Sequence, residues 1–179
     1  MLLRMRPWVR GLAAFSVAAI ALAVEGSAGG VRWTAPARWQ AAAPRPMRAA
    51  TYTIPAAAGS EAGGCGVFFF GKGQGGSVEE NLNRWETQFE SATKPKRSEQ
   101  TVHGLRVRRM DVSGTYLAPG GPMMQSQGKK PGWRLLGAIV EAPEGLVFFK
   151  CVGPAATIAK AEREFDALVA SISVATAKA

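Results

Sequence analysis

Gly71, Gly73 and Gly76 stand in the spacing G-x-G-x-x-G, directly ahead of Ser77 and a helical pattern. Glycines placed between a strand and a helix can let backbone amides and the positive helix end cradle a phosphate. The surroundings argue for a structural bend instead. A dinucleotide fold requires a second parallel strand after the helix, closed by an acidic residue that reads the ribose. Here the chain continues as the basic, proline-broken TKPKRS at 93–98 and then a hairpin. Nor is this a Walker loop, because Lys72 sits near its start rather than just ahead of Ser77. No cofactor is expected.

The other chemically able side chains are sparse. His103 is the only histidine, and its neighbour Gly104 makes the pair a two-residue hairpin turn. A metal centre needs several convergent ligands and a catalytic triad needs a base fixed by a third group, so His103 reads as a hairpin tip. Pairing Cys65 as a nucleophile with His103 has no support in their spacing. Met123 and Met124 are thioethers suited to soft copper, but they lack a partner histidine, and no metal site is assigned. Glu79, Glu80, Asp111 and Glu141 would be the acids of a hydrolase, yet no spacing pairs them. Glu79 and Glu80 are more simply first-turn residues favoured by the helix dipole. No catalytic residue is assigned.

The elements that would position these groups follow from periodicity. CGVFFFG at 65–71 reads as a strand, the glycine loop follows, and VEENLNRWETQFE from Val78 reads as an amphipathic helix. Val78, Leu82, Trp85 and Phe89 fall on one stripe, and Ser77 with Glu80 makes a capping box. RAATYTI from Arg48 to Ile54 alternates as a strand. Glu99–Val102 and Leu105–Ser113 flank His103-Gly104 as one hairpin. RLLGAIVE and LVFFKCV flank Ala142-Pro143-Glu144-Gly145 as another. A final helix after Gly153 aligns Ile158, Ala161, Phe165, Leu168, Val169 and Ile172. VRWTAPARWQ at 31–40 reads as an edge strand or an aromatic-packed loop, since Pro36 removes a ladder donor. LAPGGPMMQSQGKKPGW at 117–133 reads as a flexible loop, and Ala175–Ala179 as a frayed tail.

The opening residues read as a secretory signal peptide spanning 1–28. Arg4, Arg6 and Arg10 form the basic region, Gly11–Val24 is apolar, and Gly26-Ser27-Ala28 supplies small residues for cleavage. As a helix the apolar run would span only about 21 Å, too short for a bilayer core. No cysteine follows that run to take a lipid. The expectation is a periplasmic or extracellular protein whose single α+β domain covers 29–179. The whole chain has 22 basic and 13 acidic residues; without Arg4, Arg6, Arg10 and Glu25 the balance is 19 against 12, still basic. Its basic clusters could attract anionic polymers or lipid, but no nucleic-acid motif or interleaved aromatic series accompanies them. In an oxidising compartment Cys65 and Cys151 could form a disulfide if their strands are neighbours, or remain two buried thiols.

Strands, helix, two hairpins and a helix imply an antiparallel sheet of about six strands with two helices packed on it. The segment Pro36–Trp39, the Phe-rich strand before a helix carrying Asn81 and Trp85, and FFKCVGP followed by a helix with FDALVASI resemble the PsbP-like and DcrB-like fold. ATYTIP, FFFGKGQGGSVEENLNRW, GTY and RLLGAIVE also resemble a family of uncharacterised exported bacterial proteins. The fold-level resemblance implies a non-catalytic accessory or binding module and carries over no catalytic residues. The expected protein is thus an exported, monomeric module that contacts an unknown protein or envelope component. Its candidate contact residues are Lys72, Gln74 and Ser77 of the glycine loop and Met123, Met124, Lys129 and Lys130 of the 117–133 loop. A hydrolase and a polymer-binding adhesion protein are the competing classes.

Overall fold

The two apolar runs that carry Cys65 and Cys151 lie side by side at the centre of the main sheet, in register from Val147 opposite Phe69 to Val152 opposite Gly64. The computed structural model describes residues 23–118 and 128–176. In chain order the elements are β1 (Val24–Ala28), β2 (Val31–Ala35), β3 (Gln40–Ala41), β4 (Ala50–Ile54), β5 (Gly63–Phe69) and α1 (Val78–Glu86). They continue as β6 (Phe89–Glu90), β7 (Lys96–Val102), β8 (Leu105–Leu117), β9 (Lys129–Ala142), β10 (Gly145–Pro154), α2 (Ala155–Ser171) and β11 (Ser173–Val174).

The main sheet runs β3-β4-β5-β10-β9-β8-β6, with β7 sharing the outer edge of β8, and the second sheet is β1-β2-β11. All pairings are antiparallel, so the α+β class read from the sequence holds. Among the described residues the strands number eleven in two sheets rather than about six in one. Short pieces such as β3, β6 and β11 carry no periodic signal of their own and exist because a neighbouring edge supplies their hydrogen bonds.

Both faces of the main sheet are used. On the first, α2 lays Ile158, Ala161, Phe165, Leu168 and Val169 over Cys65, Val67, Phe149 and Ala138, and β2 adds Val31, Trp33 and Ala35 to the same core. Each of these large side chains, fully buried, is worth about 1.5–3 kcal/mol. Trp33 meets Phe149 edge-on at 5.1 Å and its Nε1–H donates to the Tyr52 hydroxyl at 3.0 Å. On the second face, α1 sets Leu82 and Trp85 against Met110, Val112, Ile139 and Phe148. The nine-residue α1 reaches only part of that face.

Several local expectations need correction. The α1 helix stops at Glu86, where the Thr87 N–H returns to Asn83 O and its hydroxyl donates to Arg84 O at 2.9 Å. Phe89 then joins β6 opposite Tyr116; its i+11 position fits the helix stripe, but the open edge of β8 captures it. The 117–133 segment is not a loop throughout: β8 runs to Leu117 and β9 begins at Lys129. Met123 and Met124 lie outside the described residues. The opening segment is no edge strand, since β2 is the middle of the second sheet, and Pro36 falls just past its end. The expected tail is tied at its first residue, just past β11, by the Ala175 N–H bonded to Gly30 O at 2.9 Å; residues 177–179 lie outside the described residues. Gly26-Ser27-Ala28, expected at the cleavage point, belongs to β1, with Gly26 opposite Trp33. The apolar run before it lies almost wholly outside the described residues.

Candidate binding site

A side-chain row runs across the second face: Thr51 faces Gly66, Gly66 faces Lys150, Lys150 faces Gly137, and Gly137, beneath Trp85 of α1, faces Met110. The period of two places Lys150 on the face opposite Val147, Phe149 and Cys151. It is thus a lone cation in the apolar strand LVFFKCV, flanked on both ladders by residues with no side chain. The two glycines leave space for different reasons. A Cβ on Gly137 would lie 2.3 Å from the Trp85 ring, and one on Gly66 would lie 2.8 Å from the Phe68 ring. Gly64, two residues along, is open: a Cβ there would meet nothing nearer than Tyr52 O at 4.0 Å.

The open space at Gly64 belongs to a trough of about 430 Å³, bordered by Arg48, Gly64, Phe68, Tyr116, Trp133 and Lys150. Its volume is that of a small-molecule site. Tyr116 and Trp133 stack in parallel, 3° between planes and 5.6 Å between centroids. Arg48 lies over the Phe68 ring at 5.1 Å and the Lys150 ammonium over the Tyr116 ring at 5.6 Å. Lys150 Nζ donates to Gln88 Oε1.

The electrostatics are one-sided. Burial, then the like charges of Arg48 and Arg84, pulls the Lys150 ammonium down to about 8. Burial and Arg45 lower Arg48 as well, against a raising effect from Tyr116. Burial pushes the Tyr116 phenol up, with Arg48 opposing. Among the described residues, neither Arg48 nor Lys150 forms an ion pair, whereas most other clustered cations do. Arg97 reaches Glu79 and Glu86, Arg106 and Arg108 share Glu99, Arg109 meets Asp166, and Lys129 meets Glu90 at 2.6 Å. Two partly buried cations without counter-charge destabilise a fold, and an apolar residue of similar volume would pack there at lower cost. Such a group in a cleft is a functional candidate.

The residues expected from sequence lie elsewhere. Lys72 and Gln74 are exposed on the glycine turn, with Gln74 at the edge of a wide hollow that also holds the exposed Met47 and Phe70. Ser77 is the α1 cap: its Oγ accepts from Glu80 N–H and its own N–H donates to Glu80 Oε2 at 2.7 Å. A carboxylate already occupies the helix start, where a phosphate would have to bind. The antiparallel neighbours of β5 remove the parallel strand a dinucleotide fold needs. Gly71, Gly73, Gly75 and Gly76 all have positive φ, so the glycines serve the bend. Of the set's described residues, Lys130 reaches the trough's rim, 5.4 Å over the Trp133 ring and 3.8 Å from Glu61.

Cys65 and Cys151 face each other directly across β5 and β10, with Cα atoms 3.9 Å apart and their sulfurs bonded. This removes Cys65 as a nucleophile. His103 Nδ1–H donates to Ile172 O at 2.8 Å, tying the hairpin tip to the end of α2. Each hydrolase acid is engaged: Glu79 by Arg97 and Arg108, Glu80 in the cap, Glu141 by Arg106. Both oxygens of Asp111 accept from Arg134 at 2.8 Å, and Arg134 also holds Glu162 at 2.9 Å. A hollow of about 390 Å³ does open beside Asp111, with Lys94, Lys96 and Ser113 on its walls, but the carboxylate there is neutralised by its guanidinium.

No family model and no curated protein matches the chain. Solved structures do. The chain is similar to cyanobacterial PsbP (CyanoP) from Synechocystis sp. PCC 6803, with TM-score 0.55, 11% identity, 92% of this chain and 99% of the other covered. The fold is PsbP-like. A protein of unknown function from Pseudomonas aeruginosa, PA94, is also similar, with TM-score 0.51 and 12% identity over 87% of this chain and 99% of that one. At these identities the likeness concerns the fold. No helix among the described residues is long and apolar enough to cross a membrane.

Proposed function

We propose that this chain is an exported, non-catalytic accessory protein that binds a ligand in the trough on the second face of its main sheet. The observation that carries the reading is the pair of cations, Arg48 and Lys150, set without counter-ions over an aromatic floor. Among the described residues, part of the sheet face that the short helix does not cover, with open space at Gly64, is binding surface made at the expense of packing. The engagement of every candidate acid supports a binding role over hydrolysis. The exported location rests on the basic and apolar opening residues. Two-dimensional amide NMR of the protein during titration with a library of small anions, cations and neutral compounds tests the reading. Shifts should gather at Gly64, Gly66, Tyr116 and Lys150. Shifts confined to Lys72–Ser77, or none with any compound, would refute it.

A further inference from the structure

The trough also specifies the chemistry of its occupant. The charged side chains that border it among the described residues, Arg48 and Lys150, are both positive, which favours a ligand with a negative head. Two cations over one small volume favour a carboxylate or sulfonate whose oxygens can meet an ammonium and a guanidinium together. The Tyr116 and Trp133 rings stack on each other within the same wall, and Phe68 lies beneath Arg48. Flat apolar surface of this kind rewards a planar, apolar body.

We propose that the trough binds a small organic anion with a flat, apolar body, an aromatic carboxylate or sulfonate. Its head lies on Lys150 and Arg48, and its body lies against Tyr116 and Trp133. The inference rests on the reading of the trough as the ligand site and adds the ligand class. Gly64 is part of the recognition, because a side chain there would enter the open space the body needs. Lys150 is faced by Arg48, Arg84, Tyr116 and Gln88, none of which supplies a negative charge near neutral pH.

The test uses 2-naphthoate, its neutral analogue 2-naphthalenemethanol, and acetate, each titrated calorimetrically into the exported protein near pH 7. The variants are Lys150→Met, Arg48→Gln and Gly64→Val, with melting curves taken for each. Naphthoate should bind at least about tenfold more tightly than either control, and each variant should lose about tenfold or more. Gly64→Val is the cleanest arm, because the added side chain meets open space and suits a strand. Equal binding of the alcohol and naphthoate, both lost in Gly64→Val, would overturn the anionic ligand while leaving the trough as a site. Equal binding of acetate would overturn the aromatic body. Naphthoate binding unchanged in all three folded variants, or no binding of any probe, would overturn both the class and the site.

Discussion

The ring of Trp85 occupies the space where Gly137 lacks a side chain: a Cβ on that glycine would lie 2.3 Å from the indole. The indole therefore seats α1 directly on the backbone of β9. Gly137→Ala should displace the ring and destabilise the fold by about 1–3 kcal/mol, read as a lowered urea midpoint. An unchanged midpoint would show that α1 can shift without loss.

Lys150 gives a pH dependence of defined sign. Its folded pKa is lowered from 10.5 to about 8. Below pH 8 both folded and unfolded chains carry the charge, so its effect is constant. Between about 8 and 10.5 the unfolded chain keeps a proton that the folded chain has released, so stability rises with pH. The full gain is on the order of 3 kcal/mol. Above about pH 10 the buried tyrosines, pushed up by burial, act in the opposite sense, so the window to measure is pH 8–10. Lys150→Met should abolish this rise in denaturant melts and be more stable than the parent at pH 7. A variant that keeps the slope would assign it to another group.

The Cys65–Cys151 bridge closes a loop with a sequence separation of 86 residues. On chain entropy alone this is worth about 4–5 kcal/mol. Alkylation and intact mass of the exported protein should find no free thiol without reductant and two with it. Melting should fall sharply when reductant is present. Two free thiols in the non-reduced protein would sink this prediction.

The position of Gly26 in β1, beside Trp33, bears on processing. Cleavage after Ala28 would strip β1 from β2 and uncover one side of Trp33. Ala21-Leu22-Ala23 offers an A-x-A pattern that ends just before β1. The exported protein should begin at Val24, and N-terminal sequencing decides; a start at Gly29 would show that β1 is dispensable.

The Ser77 cap predicts a smaller effect. Ser77→Ala removes the hydroxyl that accepts from Glu80 N–H and should cost about 1 kcal/mol, with little change in ligand affinity. A large loss of affinity at normal stability would return attention to the glycine turn.

What could be read from the chain was local. The β7–β8 hairpin announces itself through the His103-Gly104 turn, the β9–β10 hairpin through two apolar runs around Ala142-Pro143-Glu144-Gly145, and α2 through its 3.6-residue stripe. The second sheet was hidden because β11 joins β2 across 141 residues, as the Arg32–Ser173 contact measures, and sequence pattern carries no trace of such pairing. The trough was hidden for the same reason. Arg48, Tyr116, Trp133 and Lys150 come from four separate stretches and meet only through strand register. One signal was present, a lysine within LVFFKCV, where every neighbour is apolar. The candidate residues chosen instead lay in glycine-rich segments, where loop composition marks a bend as readily as a contact.

The three-stranded sheet has a directional consequence. It holds β1, near the start of the folded chain, and β11, near its end, flanking β2 on the first face of the main sheet, while the trough opens on the other. A leader, a tether or an affinity tag on a sensor chip therefore continues from strands of this small sheet and not from the strands β5, β8, β9 and β10 that line the trough.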